Sequence, residues 1–304
     1  MKIDSSIKVL ADYNDVFADI MNVILFDGEK VIDAKGLENA KDRSQYKADG
    51  DLHEQERDVS KFYNGELMRE AFLGIEHENR DEPFMPFRII SYDGAVYRSQ
   101  LLEKGKTKPF PVITLVLYFG MKHWPHGKSL HEVMEIPEKL KPFVSDYRIN
   151  VVEVAYLKPE QIEKFQSDFR YIAEFFVQKR TTGDYKPPRF SPQHTDAFFK
   201  LLSRMVGDKR YYEIIQEMGP NQEKEGEIEM CEVYDKIENR GIEKGIALGK
   251  EIGKEEGKEI GIEEGKLLII VKLINDKTYT VESAAETFGI SEDAIRKELD
   301  KQAG

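Results

Sequence analysis

The chain has little of what most often announces a function. It carries one cysteine, Cys231, in 304 residues, so no internal disulfide can form and no second thiol stands at metal-ligand spacing. Cys231, in an acidic helical stretch, reads as an ordinary thiol. Long apolar runs are lacking too: Pro111 to Phe119 and Leu267 to Leu273 are the longest, well short of the roughly 20 residues a membrane helix needs. The opening Met1-Lys2-Ile3-Asp4-Ser5-Ser6 has no basic segment followed by an apolar one, so no secretory signal is read there. A cytoplasmic protein with no membrane partner is the expectation. Net positive charge is also absent: 45 Lys and Arg stand against 57 Asp and Glu, a balance of −12. That excludes a protein that coats nucleic acid over its whole surface. The middle of the chain differs, with fifteen Lys or Arg against eleven Asp or Glu between residues 101 and 190. This section could meet a phosphate backbone, or be a solvated surface of mixed charge.

What is present is enough for a core. A hydrophobic fraction of 40%, with 11% aromatics, supports one substantial domain with an appendage. Asp15 to Phe26 repeats apolar residues at three and four, as an amphipathic helix requires, and Asp27-Gly28 stops it. The polar stretch Asp33 to Glu54 reads as loop or short helix. A strand is expected from about Arg57 to Tyr63, and another along the apolar run that ends at Glu76-His77-Glu78. Pro86 opens a helix to Leu102. Pro111 to Gly120 reads as a central buried strand, Tyr147 to Leu157 as a further strand, and Pro159 to Met218 as helical. Strands and helices in this order indicate an α/β sheet covered by helices.

The tail has its own grammar. Glycine recurs every four residues from Gly241 to Gly265, which in a helix traces a slow spiral and costs about 1 kcal/mol per position. Flanking Glu and Lys at i,i+4 offset part of this. A semi-flexible helical linker is expected, with self-association as a homo-oligomer one possible use. Beyond it, Thr280 to Ile295 resembles helix–turn–helix grammar, with Gly289 closing one helix and Ser291 capping the next. The second helix holds Glu292, Asp293 and Glu298 against Arg296 and Lys297. That balance favours a packing unit over a DNA-reading one. The expected divisions are 1–218, 219–266 and 267–304.

The strongest chemical signal is an Asp…Glu-x-Glu constellation. In a strand, side chains two apart share a face, so Glu76 and Glu78 lie together while His77 points away. If the Asp58 strand pairs antiparallel with theirs around Asn64-Gly65, three acids meet at one end of a sheet. Such a cluster suggests a divalent cation or strongly raised pKa values.

Several segments in order then resemble one family: Arg57-Asp58-Val59, Leu73 to Glu78, Met85-Pro86-Phe87-Arg88, Pro111 to Gly120, and Trp124. Phe17 to Asn22 and the glycine-periodic tail add to the likeness. Together they resemble the recombination-promoting nuclease (Rpn) family, also called PD-(D/E)XK nuclease family transposases. The resemblance implies a restriction-endonuclease-like α/β core, a mixed sheet flanked by helices, to which the tail read above adds an α-helical C-terminal extension. It implies Mg²⁺, or Mn²⁺, held by Asp58 and Glu76, and DNA as partner and substrate of an endonuclease that promotes recombination. At the third position the general fold has lysine and this family usually glutamine, whereas this chain has Glu78. Glu78 could ligate a second metal, act as general base, or mark a catalytically degenerate protein used in DNA binding or self-assembly. A toxin or defence effector would share the nuclease chemistry. Arg88 and Arg98 are candidate phosphate clamps for DNA, with salt-bridged arginines as the alternative. Asp19 is a further candidate acid.

Overall fold

The computed structural model describes residues 3–40, 43–48, 51–56, 58–65, 71–78, 82–102, 108–218 and 228–303. The chain divides into two compact units, Met1–Ile237 and Glu238–Gly304.

The first unit opens with α1 (Ile3–Ala11) and α2 (Asn14–Phe26). The buried residues of α2, Val16, Phe17, Ile20, Met21 and Val23, follow the three–four spacing of its sequence. The helix ends where Asp27 and Gly28 take left-handed backbone conformations, φ 54° and 89°. Buried Asn22 ties the returning chain down: its Oδ1 accepts the amides of Val31 and Ile32, and its Nδ2 donates to the Ile32 carbonyl.

Next come β1 (Leu37–Asn39), β2 (Arg43–Ala48), β3 (Asp51–Glu56), β4 (Val59–Tyr63) and β5 (Ala71–Glu78). The expectation of loop or short helix over Asp33 to Glu54 holds for the 3-10 turn Ala34–Gly36 and is corrected from Leu37 onward. β2 and β3 form a separate antiparallel hairpin whose register sets Ala48 opposite Asp51. The available signal was the dipeptide Asp49-Gly50 between them, a favoured two-residue hairpin connection; the polar composition of the arms masked it.

The helix α3 (Met85–Leu102) leads to β6 (Val112–Tyr118), the single turn α4 (Leu130–Val133) and β7 (Asn150–Glu153). β7 is shorter than the expected Tyr147 to Leu157. Its chain leaves the sheet through a 3-10 turn at Val154–Tyr156, whose Val154 and Ala155 are fully buried. Four helices follow: α5 (Pro159–Ile162), α6 (Phe169–Thr182), α7 (Thr195–Val206) and α8 (Arg210–Met218).

The five-stranded sheet runs β1-β4-β5-β6-β7. β4 is antiparallel to both β1 and β5, while β5, β6 and β7 are mutually parallel. Alternation along the strands divides the core in two. Val59, Tyr63, Leu73, Ile75, Leu115 and Leu117 face the large cluster that includes α1, α2, α6 and α7. Val116 and Tyr118 face a smaller one, with Met85, Ile89 and Tyr92 of α3 and with Trp124. This is an α/β nuclease-like fold, a mixed sheet flanked by helices. Its parallel strands end together, and the acid residues of β5 stand at that end.

The glycine-periodic stretch lies within one continuous helix, α9 (Met230–Asn275), followed by α10 (Val281–Phe288) and α11 (Glu292–Ala303). Gly289 adopts φ 68° after α10, and Ser291 Oγ accepts the Ala294 amide at 3.3 Å, as the turn grammar indicates. Ile270, Ala284 and Ile295 form the buried centre of this second unit. Among the described residues no helix is long and apolar enough to cross a membrane.

Candidate active site

The site is built where β4 and β5 meet. Register sets Val59 opposite Ile75, so Asp58, one residue before β4, arrives beside Glu76. The Asp58 amide donates to Glu76 Oε1 at 3.3 Å, across 18 residues of sequence. Glu76 and Glu78 share the α3 face of β5, and both are buried. Arg88, in the first turns of α3, reaches both: Nη2 lies 2.9 Å from Glu76 Oε2, and Nη1 lies 3.7 Å from Glu78 Oε2. Its Nε donates to the Tyr92 hydroxyl at 3.1 Å. Burial alone would lower the pKa of Arg88, but Glu76 and Tyr92 hold it above its ordinary value, so the guanidinium stays charged. Burial, with the Glu76 charge, in turn pushes the Tyr92 phenol up.

The Asp58 carboxylate is held by the β5 backbone and by α1. Its Oδ2 accepts the His77 amide at 2.8 Å and lies 3.6 Å from His77 Nδ1, just beyond hydrogen-bond range. Its Oδ1 pairs with Lys8 Nζ at 2.5 Å, from α1. Burial raises the Asp58 pKa, yet His77 and Lys8 outweigh it and hold the group at about 2. His77 follows strand alternation onto the large core, where its ring stacks on Phe119 with centroids 6.0 Å apart.

Asp58, Glu76, Glu78 and Arg88 are thus brought together. Arg98 is not part of this cluster; it is exposed on α3, ten residues and about 15 Å of helix rise beyond Arg88. Asp19 is not at the site either, because its Oδ2 accepts the amides of Gln166 and Ser167 before α6. Lys8 was not legible in the sequence, since one lysine on a short amphipathic helix carries no distinguishing mark fifty residues from its partner. Asp93 was also missed. It is buried on α3, accepts from Thr114 Oγ1 at 2.7 Å, and takes the Tyr147 hydroxyl.

The donor chemistry suits a hard divalent cation: carboxylate oxygens gathered at one sheet end, with lysine and arginine supplying the positive charge that buried acids require. Among the described residues no three His, Cys, Asp or Glu are drawn onto one point. Mg²⁺ commonly needs only one or two carboxylates together with water and phosphate oxygens, and Asp58 and Glu76 are the acids at this sheet end that would supply them.

A protein-family model described as "Putative transposase, YhgA-like" matches residues 30–185, just over half of the chain. The matched segment contains Asp58, Glu76, Glu78, Arg88 and Arg98. Comparison with curated proteins gave no match, and comparison with solved structures gave none.

Proposed function

The chain belongs to the YhgA-like transposase family, within the PD-(D/E)XK nuclease-like transposase group, and from that premise we propose a metal-dependent endonuclease acting on DNA. The observation that carries this reading is the linkage of buried Asp58 and Glu76 at the end of β5, with Arg88 fastened to Glu76. Acids so costly to bury are expected where their charge is used. In this reading Asp58 and Glu76 hold Mg²⁺ or Mn²⁺. When bound, the cation polarises the scissile phosphate and lowers the pKa of a water ligand.

The remaining roles belong to the chain's own groups. Arg88 fixes the rotamer of Glu76 and keeps positive charge beside the place where a phosphate would sit. Glu78, on the same face, is the candidate base that takes a proton from the attacking water. The His77 amide orients the Asp58 carboxylate. Arg98, exposed on the same helix as Arg88, is a candidate contact to a neighbouring phosphate. Cutting both strands with a single site calls for two copies, and the exposed isoleucines of α9 are where a second copy is proposed to bind.

A second reading is favoured by a specific observation. Lys8, Arg88 and two backbone amides together engage all four carboxylate oxygens of Asp58 and Glu76. A protein that had lost its chemistry and kept DNA binding would have a site neutralised in this way.

The test is cleavage of supercoiled plasmid by the full chain with Mg²⁺, Mn²⁺ or EDTA, beside Asp58→Ala and Glu76→Ala. Metal-dependent nicking lost in both variants is the expected result. A folded protein that shifts DNA in a gel yet never cuts it would sink the endonuclease and leave the binding reading.

A further inference from the structure

Two cations of the chain meet the acid site, Arg88 from α3 and Lys8 from α1. Arg88 is fastened by Tyr92 and by Glu76, with Glu78 close by. Lys8 Nζ lies 2.5 Å from Asp58 Oδ1, on a side chain that is 35% exposed. The Asp58 carboxylate is 5% exposed, and its other oxygen is taken by the His77 amide. Oδ1 is therefore the oxygen at which a cation arriving from outside must compete. An ammonium and a dication on one carboxylate oxygen repel, and burial leaves that repulsion poorly screened. Lysine suits exchange, being a point charge on a flexible stem that can swing into water.

We propose that Lys8 is a built-in competitor for the divalent cation, so that the Lys8–Asp58 ion pair and cation binding at Asp58 exclude one another. This rests on the metal-site reading above and adds its regulation. With no cation present, α1 neutralises Asp58. When a cation loads, Lys8 is released, and the anchorage of α1 to the sheet end weakens. The N-terminal helix thereby reports on the state of the site. The position of Lys8 on α1 supports this role: Ile7 and Leu10 bury the helix in the large core, which leaves Lys8 as its contact with Asp58.

Binding of Mn²⁺ by the full chain, followed by calorimetry and by the electron paramagnetic signal of free Mn²⁺, tests the proposal. The wild type is compared with Lys8→Ala, Lys8→Met and Asp58→Asn. Lys8→Met keeps the apolar stem, so it serves if the shorter side chain impairs folding. Removing one charge-assisted bond that opposes the cation is expected to tighten Mn²⁺ binding by about tenfold. Without metal the lysine variants are expected to melt lower than wild type, and Mn²⁺ to raise their melting temperature by more. Mn²⁺ affinity equal to or below that of the wild type in both folded lysine variants would overturn the role of Lys8 and leave the metal site standing. Absence of Mn²⁺ binding in every protein, wild type included, would overturn both. Tight binding that survives Asp58→Asn unchanged would also overturn the proposal, because the cation would then sit elsewhere.

Discussion

Both carboxylate oxygens of Asp15 lie 2.9 Å from Nε2 of His194, 179 residues further along the chain. The contact joins the start of α2 to the start of α7, and the Tyr13 ring stacks on the same imidazole at 3.7 Å between centroids. Burial raises the Asp15 pKa, but the hydrogen bond and charge of His194 bring it below its ordinary value of 3.8. A carboxyl depressed by folding contributes stability that is complete above its unfolded pKa and is lost as pH falls through the folded value. Asp15→Asn is therefore expected to flatten part of the acid-side decline in urea midpoint below about pH 4. The pair is partly exposed, so the loss near neutral pH should stay at about 1 kcal/mol or less. Parallel pH curves for variant and wild type would refute the assignment.

Lys61 is fully buried on β4 and yet remains satisfied. Its Nζ donates to the Asp12 carbonyl at 2.7 Å, to Asp12 Oδ1 at 3.1 Å and to Asn39 Oδ1 at 2.5 Å, and it lies 5.6 Å from the centre of the Phe17 ring. Asn39→Ala, which strips one acceptor from a buried ammonium, is expected to cost about 2 kcal/mol. Lys61→Met removes the charge and keeps the volume, and should cost less. Denaturant unfolding of the two variants decides the order; the reverse ranking would mean the lysine is a net stabiliser.

Two classes of glycine should respond to alanine with opposite sign. At Gly120 a Cβ would collide with the ring of Tyr118, which folds back over the glycine. Gly120→Ala is expected to destabilise by about 1–3 kcal/mol, the range for overpacking. At Gly253 in α9 a Cβ would meet nothing within 4 Å, so Gly253→Ala should stabilise the helix by about 1 kcal/mol. Melting followed by circular dichroism reads both. A loss of stability at Gly253→Ala would show that a second copy packs against that glycine.

Arg88→Ala leaves Glu76, 1% exposed, without its nearest cation, and is expected to cost about 3 kcal/mol. Arg88→Lys should recover part of that, since a lysine keeps the charge but cannot reproduce the fork that serves Glu76 and Tyr92 together. Thermal unfolding at neutral pH separates the pair. Equal stability of Arg88→Ala and wild type would place the neutralisation of Glu76 elsewhere.

What was legible in the chain alone was whatever depends on neighbours in sequence. Three–four spacing marked α2, the Pro86 start marked α3, the bounded apolar run marked β6, and alternation along β5 set Glu76 and Glu78 on one face with His77 on the other. Local chemistry likewise foretold the left-handed turn at Gly289. The short β1 and the β2–β3 hairpin were missed because short strands of mostly polar sequence leave no period to read.

The tertiary structure alone decided which charges meet. Lys8 with Asp58, Arg88 with Glu76, Lys61 with Asp12 and Asn39, and Asp15 with His194 are partnerships across distant parts of the chain, except for Arg88 and Glu76, which stand twelve residues apart. The physical reason is that burial periodicity is imprinted residue by residue, whereas an ion pair needs only two ends to arrive at the same place. Such an arrival is set by register and helix packing, and leaves no mark in either segment by itself.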